Sequence, residues 1–487
     1  NLFCSYPVGL TRHLLCNMPL PHHRGYNTSM ITLPQSALDI ISALQSQGYE
    51  AYAVGGSVRD LLLKLPTKSW DFTTNATPES ILALFPDSFY DNQFGTVGIK
   101  IRKEKDESRE EKPEVEDIYE VTTYRSEEGY KDHRHPDNIT WGKTLTEDLS
   151  RRDFTINAIA FDGKTLTDPY NGKKDLTANL IRTVGNATDR FAEDSLRMLR
   201  AVRFAARFGF IIEKETAAAI QEHAALITEI SAERIRDEFL KIITATHAAD
   251  AILVLKNLGL LHYILPELEI SFATPQKSPK RHHIYDVGTH SVMALKHCPS
   301  DDPVVRLATL IHDLGKPKTF KQMPDGLITF YNHEMASAWI AKKVAERLRL
   351  SRKQSELLVT LVRWHQFSVD ERQTDSALRR FIRRVGKENL PHILALRIGD
   401  RLGGGAAETS WRLELYKKRL EEVQKQPFAV ADLQVDGHDV MKIFDVTPGP
   451  VIGKVLDTVF ADVEAGTLPN EREALLAKIE ALKKSMN

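Results

Sequence analysis

The stretch Gly55-Gly56-Ser57-Val58-Arg59-Asp60, with Lys68-Ser69-Trp70-Asp71 shortly after it, combines residue types suited to phosphoryl or nucleotidyl transfer. Two adjacent glycines after a strand let the backbone approach a polyphosphate closely, and the helix start behind them directs its amides at the anion. Arg59 adds a fork of donors, and Asp71 can hold Mg²⁺ between a triphosphate and an attacking hydroxyl. The plainer reading is a tight turn with a solvated Arg59 and a structural Asp71. Such chemistry usually sets two acids one residue apart, and here Ser69 stands two positions before Asp71. Its hydroxyl is neutral and a poor magnesium ligand. Glu120, in Glu120-Val121-Thr122-Thr123-Tyr124-Arg125, projects from one face of a predicted strand as a further metal ligand or hydroxyl base. Arg151-Arg152-Asp153-Phe154-Thr155-Ile156-Asn157-Ala158 follows. There Arg152 can neutralise phosphate, while Asp153 and Asn157, four apart on a predicted helix, brace the site by local hydrogen bonds.

A second group runs from Glu193 to Phe204, with Asp194, Arg197, Arg200 and Arg203 at steps of three on a predicted continuous helix. Neighbours in that series touch, and the first three share an arc while Arg203 drifts away. Cytosine and adenine each present an exocyclic amino donor beside a ring-nitrogen acceptor, so an Asp acceptor beside an Arg donor can pair with either. Guanine and uracil present the opposite pattern and would leave mismatched buried groups, at about 1–3 kcal/mol per poor bidentate contact. The alternative is an intrahelical salt-bridge ladder with Leu196, Leu199 and Val202 facing the core.

His290, His312-Asp313 and Asp400 have the order and types of a divalent-metal site gathered from separate helices, with His333 and His365 as candidate ligands of a second ion. Adjacent imidazole and carboxylate on one helix end can chelate one ion or bridge two, leaving room for an activated water. The alternative is a helical body whose acids are structural. Arg379-Arg380 and Arg383-Arg384 lie four apart on a helix, a basic face suited to RNA phosphates or simply a solvated one.

The elements that must position these residues follow from periodicity. A helix is expected over Ala37 to Gln47, a short strand over Tyr49 to Val54, and further strands over Val97 to Ile101 and Ile118 to Tyr124, with the charged run Lys103 to Glu114 as a hairpin tip. From Asn186 to about Leu260 the pattern turns helical, as it does from His282 to Arg401, where Gly403-Gly404-Gly405 breaks it. A last helical segment contains Thr447-Pro448-Gly449-Pro450. With 487 residues, several domains are expected. The 65 basic residues balance 66 acidic ones, so a nucleic-acid surface must be a local patch. Three cysteines, Cys4, Cys16 and Cys298, have no ligand spacing and suit a reducing cytosol, and no apolar run suggests a membrane span. Residues before Met30 lack periodicity and read as an upstream extension or a disordered arm.

The head resembles class II CCA-adding tRNA nucleotidyltransferases and the related bacterial poly(A) polymerases, of the DNA polymerase beta superfamily, and the resemblance covers nearly everything from Met30. It implies an α+β protein: a nucleotidyltransferase α/β head over 30–170 behind a 1–29 extension, a helical neck with nucleotide recognition and RNA binding over 171–275, an HD-type helical domain over 276–405, and a helical tRNA-binding tail over 406–487. It maps Gly55, Gly56 and Arg59 to triphosphate binding, Asp71 to Mg²⁺, and Arg152 to the incoming nucleotide. Ser69 takes the position of the first acid. Asp194 and Arg197 are the implied protein template for CTP and ATP, with Arg200 and Arg203 as nearby nucleotide contacts. Phe94-Gly95-Thr96-Val97-Gly98 resembles the strand entry of CCA-adding enzymes, and Arg125 to Pro136, with Tyr130, Asp132 and Arg134, resembles the flexible loop of those that complete the whole CCA end. His312-Asp313-Leu314-Gly315-Lys316 resembles the HD phosphohydrolase superfamily, implying a further divalent metal on His290, His312, Asp313 and Asp400. The expected activity is Mg²⁺-dependent addition of C, C and A to tRNA in the cytoplasm. Poly(A) synthesis and partial CC or A addition are alternatives within the class, and Ser69 keeps open a noncatalytic RNA-binding or HD phosphohydrolase protein.

Overall fold

The computed structural model describes residues 32–67, 69–92, 95–102, 114–128, 138–142, 144–276, 285–424 and 430–486. The expected N-terminal extension, most of the charged hairpin tip, Phe94, and Tyr130, Asp132, Arg134 and Pro136 lie outside the described residues. The chain divides into two compact units, Asn1–Ile230 and Ser231–Asn487, with the division falling inside the stretch expected to be a neck. The architecture is α+β as expected, with the large sheet in the first unit and a mainly helical second unit that carries a short two-stranded sheet.

Seven strands build the large sheet: β1 (Ala51–Val54), β2 (Asp71–Thr74), β3 (Ser88–Asn92), β4 (Thr96–Arg102), β5 (Val115–Thr123) and, beyond the hairpin β6 (Arg125–Glu128) and β7 (Asn138–Trp141), β8 (Ala160–Phe161) and β9 (Leu166–Thr167). Their order is β3-β4-β5-β2-β1-β8-β9. Among the described strands of this sheet, β2 and β5 alone run parallel, pairing Asp71 with Glu120 and Phe72 with Val121. Because alternate residues face opposite sides, Phe72, Tyr119 and Val121 share one face. There the Phe72 and Tyr119 rings are 6.0 Å apart, and the Tyr119 hydroxyl is 3.2 Å from Ser36 on the Gln35–Ser46 helix. Asp71 and Glu120 are thereby turned to the other face, together with Val54, which pairs with Asp71. Val54 joins Tyr124, Leu145, Leu149, Ala158 and Ala160 in a buried cluster. The same apolar alternation that builds the sheet therefore aims the acids at the Leu145–Ser150 helix.

Two expectations change here. The segment expected as a loop from Arg125 begins as β6, paired to β7 from Arg125↔Trp141 to Glu128↔Asn138. The expected helix through Asp153 and Asn157 is a bridge residue, Phe154, followed by a single 3-10 turn at Thr155–Asn157, because Phe154 pairs with Thr183 instead of continuing a helix.

In the second unit, the Leu390–Gly403 helix lies against the Val287–Lys296 helix with almost no space between backbones. A Cβ at Gly399 would sit 2.7 Å from the Ala294 carbonyl oxygen, and one at Gly403 2.5 Å from the Ala294 nitrogen. The helix ends at Gly403, where the glycine run was expected to break it, and Gly403 is at the same time packed against its neighbour. These two glycines permit the approach that brings Asp400 to His290. A separate apolar cluster, including Val440, Val459, Leu475 and Ile479, ties together the helices Gly437–Phe444, Pro450–Glu464 and Arg472–Met486.

Candidate active site and candidate metal centre

β1 ends at Val54, and Gly55 turns the chain at φ 75°, a conformation that L side chains rarely adopt. Space as well as φ selects glycine. A Cβ there would stand 2.9 Å from Arg152 Nη1 and 3.6 Å from Asp71 Oδ2. Turn, acid and guanidinium, 97 positions apart in sequence from Gly55 to Arg152, therefore meet at one point. Burial raises the Asp71 carboxyl above the usual carboxylate range, against the opposing pull of Arg152 and Arg59. A divalent cation would relieve that penalty, and Asp71 with Glu120, adjacent in register on one face, fits a magnesium ion that takes its other ligands from phosphates and water. Ser69 is exposed, two residues before Asp71 on the approach to β2.

Arg152 is positioned by a residue that the sequence reading missed. Asp148 is fully buried and accepts from Arg151 at 2.6 Å and from Arg152 at 3.2 Å. Burial works against its charge, but the two guanidinium groups outweigh that and hold its carboxyl low. The three- and four-residue spacing from Asp148 to the arginine pair was the available signal. Arg152 is not saturated by this contact, since its buried Nε has no partner among the described residues.

Arg59 is placed differently from an exposed triphosphate fork. It is 3% exposed, with Nε and Nη2 on Asp60 at 2.8 and 2.7 Å and Nη1 on Asn157 at 2.6 Å. Its guanidinium lies 5.1 Å from the Phe204 ring centroid and 4.9 Å from that of Phe208. Burial lowers its pKa, with Asp60 opposing. All three nitrogens are committed inside the head, so its effect on Asp71 is that of a nearby positive field. Gly56 begins the Gly56–Leu62 helix, where a Cβ would lie 3.3 Å from Arg59 Nη2.

The expected continuous helix from Glu193 is broken. One helix ends at Glu193, Asp194 is extended at φ −147° and ψ 101°, and a second runs Leu196–Phe208. Asp194 Oδ1 accepts from the Leu196 amide at 3.1 Å, a local bond that competes with helix at an Asp. Arg197 donates to Glu193 at 2.5 Å and to the Arg151 carbonyl at 3.1 Å, so the arginine expected to meet a base is tied to the residue preceding Arg152. Arg200 binds Asp153 Oδ2 through Nε and Nη2 at 2.8 and 2.6 Å. Arg203 lies over the Phe204 ring at 4.4 Å. Asn157 donates to Asp153 at 2.9 Å, the bracing bond expected, without the helix. Through Asn157, Asp153 joins Arg200 to Arg59.

Burial works against the Asp153 charge most, but Arg200, the Asn157 bond and Arg197 prevail and bring its pKa down to about 2, against an ordinary 3.8. A carboxylate with a depressed folded pKa contributes stability above its unfolded pKa and loses it as pH falls through the folded value. Asp153 should therefore supply about 2 kcal/mol at neutral pH, lost between about pH 4 and pH 2. Thermal melts across that window should be flatter in Asp153→Asn than in the parent protein.

In the second unit the Pro303–Ile311 helix ends at His312, and Asp313 opens the following turn. That turn is fastened by the Gly315 amide donating to Ser337 Oγ at 2.8 Å on the His333–Arg347 helix. His290 Nε2 faces Asp400 at 3.1 Å, His312 at 3.3 Å and Asp313 Oδ2 at 3.4 Å. Asp313 Oδ1 faces His333 at 3.2 Å and His365 at 3.6 Å. Two ligand groups result, His290 with His312 and Asp400, and His312 with Asp313 and His365. The Nδ1 atoms of His312, His333 and His365 lie 2.7, 2.9 and 2.7 Å from the carbonyls of Thr309, Phe330 and Val362. Each carbonyl accepts a hydrogen bond from Nδ1–H and so turns Nε2 inward as the atom free to take a proton or a metal. Burial disfavours a charged His312, yet Asp313 and Asp400 together push it up to about 10, and both acids fall well below their ordinary value despite burial. Protons are drawn to a position where a divalent cation would satisfy the same acids. The four expected ligands and His333 and His365 all converge.

The expected basic face at Arg379, Arg380, Arg383 and Arg384 is only partly realised. Arg379 is buried and donates to the Glu464 carbonyl at 2.7 Å, and Arg383 pairs with the Glu464 carboxylate. Glu464 comes from another helix, beyond what spacing along one helix can reveal.

Residues 51–182 match the Poly A polymerase head domain, and further stretches match an RNA-binding region of polymerase A (209–271) and a tRNA nucleotidyltransferase domain (331–479). The CCA-adding enzyme of Latilactobacillus sakei is 33% identical over 443 residues, covering 90% of this chain and 96% of that one. The chain belongs to the CCA-adding enzyme family. The CCA-adding enzyme of Geobacillus stearothermophilus is 43% identical over 232 residues, a match that spans 47% of this chain and about half, 54%, of that relative. A solved CCA-adding enzyme of Bacillus stearothermophilus in complex with CTP superposes with a TM-score of 0.67 at 28% identity, covering 93% of this chain and 98% of that one. The Thermotoga maritima CCA-adding enzyme complexed with tRNA, at 20% identity and a TM-score of 0.56, shares the fold. No helix among the described residues is long and apolar enough to cross a membrane.

Proposed function

We propose that this chain is a tRNA nucleotidyltransferase that adds C, C and A to the 3′ end from CTP and ATP. The observation that carries the reading is the convergence of Gly55, Asp71 and Arg152, with Arg197 tied to Arg151 beside them. In the reaction the terminal hydroxyl oxygen bonds to the α-phosphorus, the bond to pyrophosphate breaks and the hydroxyl loses its proton. Arg152 holds the triphosphate with the donors that Asp148 leaves it. Asp71 and Glu120 would hold Mg²⁺, which when bound would polarise the phosphate and steady the attacking oxygen. Asp194 and Arg197 read the base edge, Arg197 exchanging its Glu193 contact for the base, while Arg200 and Arg203 support that surface. Arg59 braces the turn from within. The site of action is the cytoplasm.

The test offers tRNAs ending before CCA, after C and after CC with each labelled triphosphate, and sequences the products. Full CCA on all three acceptors is expected. A ladder of A alone would favour poly(A) synthesis, and no extension of any acceptor would remove the transferase reading. In Arg197→Ala, discrimination of CTP and ATP against UTP and GTP should fall by at least about tenfold, the size of one lost bidentate contact. Misincorporation measured by primer-end sequencing checks this.

A second activity, metal-dependent phosphoester hydrolysis, is favoured by the imidazole and carboxylate atoms that meet at Asp313. His290, His312, Asp313 and Asp400, with His333 and His365, would hold the divalent metal, which when bound activates a water.

A further inference from the structure

A cavity of about 450 Å³ opens beside the His and Asp cluster, and Asp313, Lys316, Glu334, His365, Arg397 and Asp400 help to line it. That volume suits a small phosphoester or a nucleotide. An anionic substrate entering it must pass several acids, so the cations in the wall decide how its charge is met. Lys316 is 7% exposed and already spent, 2.5 Å from Asp313 Oδ2 and donating to Gln276 at 2.6 Å. Arg397 is in a different state. It precedes Asp400 by three residues on the Leu390–Gly403 helix, so both share the face that lines the cavity. Its Nη1 donates to Asp400 Oδ2 at 3.3 Å, a long contact, while Oδ1 of the same carboxylate faces His290. Its guanidinium lies 5.3 Å from the Phe367 ring centroid, which fixes the plane of the fork. Its Nε is buried without a partner among the described residues, a costly arrangement unless another acceptor meets that group.

We propose that Arg397 is the phosphate-holding residue of this second centre, gripping two non-bridging oxygens of a phosphoester whose phosphorus lies over the metal ligands. Guanidinium geometry matches two phosphate oxygens at once, which an ammonium does not. Asp400 then has two duties, one oxygen towards the metal and the other orienting Arg397. In hydrolysis the oxygen of water bonds to phosphorus, the ester bond breaks and the leaving oxygen takes a proton. Arg397 makes and breaks no bond and offsets the charge on the oxygens that stay.

The inference rests on the hydrolase reading, and the experiment separates the two. Full-length protein loaded with Mn²⁺ is titrated with inorganic phosphate by calorimetry, its Mn²⁺ content is measured, and hydrolysis of bis(p-nitrophenyl) phosphate is followed. Arg397→Gln should weaken phosphate binding and raise KM by about tenfold or more, the scale of a lost charge-assisted pair, with Mn²⁺ content unchanged and kcat less affected. Arg397→Lys should restore part of the phosphate affinity. Wild-type phosphate affinity in Arg397→Gln overturns the proposal, as does loss of Mn²⁺ from both variants, which would make Arg397 a support for the metal ligands. A wild-type protein that takes up Mn²⁺ and binds phosphate through Arg397 but cleaves no ester refutes the hydrolase reading alone. Failure of the wild type to take up Mn²⁺ overturns both.

Discussion

Asp71→Asn should lower nucleotide addition by roughly a thousandfold, which corresponds to about 4 kcal/mol of lost transition-state stabilisation, the several kcal/mol expected of a metal acting on a phosphoryl oxygen. The substitution keeps the shape of the side chain at the start of β2 and its pairing with Val54 and Glu120. What it removes is the charge. Because burial already raises Asp71, the neutral amide should fold at least as well as the carboxylate, so melting temperature should stay level while activity collapses. CTP binding should change only a few-fold, since Arg152 remains held by Asp148 and keeps its place beside Gly55. Rates of C addition to a tRNA ending before CCA, together with CTP affinity by fluorescence competition, separate these effects. A loss below tenfold would show that the metal is held by other groups. Ser69→Asp is the complementary test. Ser69 is exposed and an added carboxylate there meets no burial penalty, so transfer should rise at least about tenfold if one acid is lacking. An unchanged rate would mean that Glu120 already serves as the second acid.

The parts of this design legible in the sequence were those written in local spacing. The glycine turn before the Gly56–Leu62 helix, the acids on adjacent strands, and the His and Asp types of the second centre needed only periodicity, residue chemistry and a resemblance to a known family. What escaped depends on partners far along the chain. Arg59 looks like a free phosphate fork until Asn157 and the rings of Phe204 and Phe208 close around it. Arg383 looks like part of an RNA-binding face until Glu464 meets it. Steps of three suggest a helix running through Asp194, but an Asp that bonds the amide two residues ahead favours a helix start. In each case a long-range or capping partner outweighed a helical period. Gly403 stands at the helix end that the glycine run predicts, but its close contact with the Ala294 backbone is a second role that only the fold reveals.

Asp313→Asn should empty the second centre of metal more completely than removal of any single histidine, because Asp313 alone touches every described imidazole in it. Oδ2 lies 3.4 Å from His290 and 3.2 Å from His312, and Oδ1 lies 3.2 Å from His333 and 3.6 Å from His365. Losing His333 would leave His290, His312 and Asp400 intact as a three-ligand group, and some metal should remain. Losing the Asp313 charge leaves Lys316 and the imidazoles facing one another across a buried space, with Asp400 as the nearest acid. The group of His312, Asp313 and His365 loses its one carboxylate, the group of His290, His312 and Asp400 loses the Asp313 oxygen beside it, and the Lys316 ammonium, left without its partner, opposes rebinding. Metal content by elemental analysis should therefore drop to background in Asp313→Asn, and hydrolysis of phosphoesters should fall at least about a thousandfold. The metal-free variant should also melt earlier than the metal-free parent, by the equivalent of about 3 kcal/mol, the cost of breaking a buried ion pair from one side. The residues proposed for addition of CCA lie in the other compact unit, so that activity should stay within about twofold. A parallel loss of nucleotide addition would instead show that the metal centre supports the transferase as structure, and hydrolysis surviving in Asp313→Asn would show that Asp400 and His290 suffice to hold the working metal.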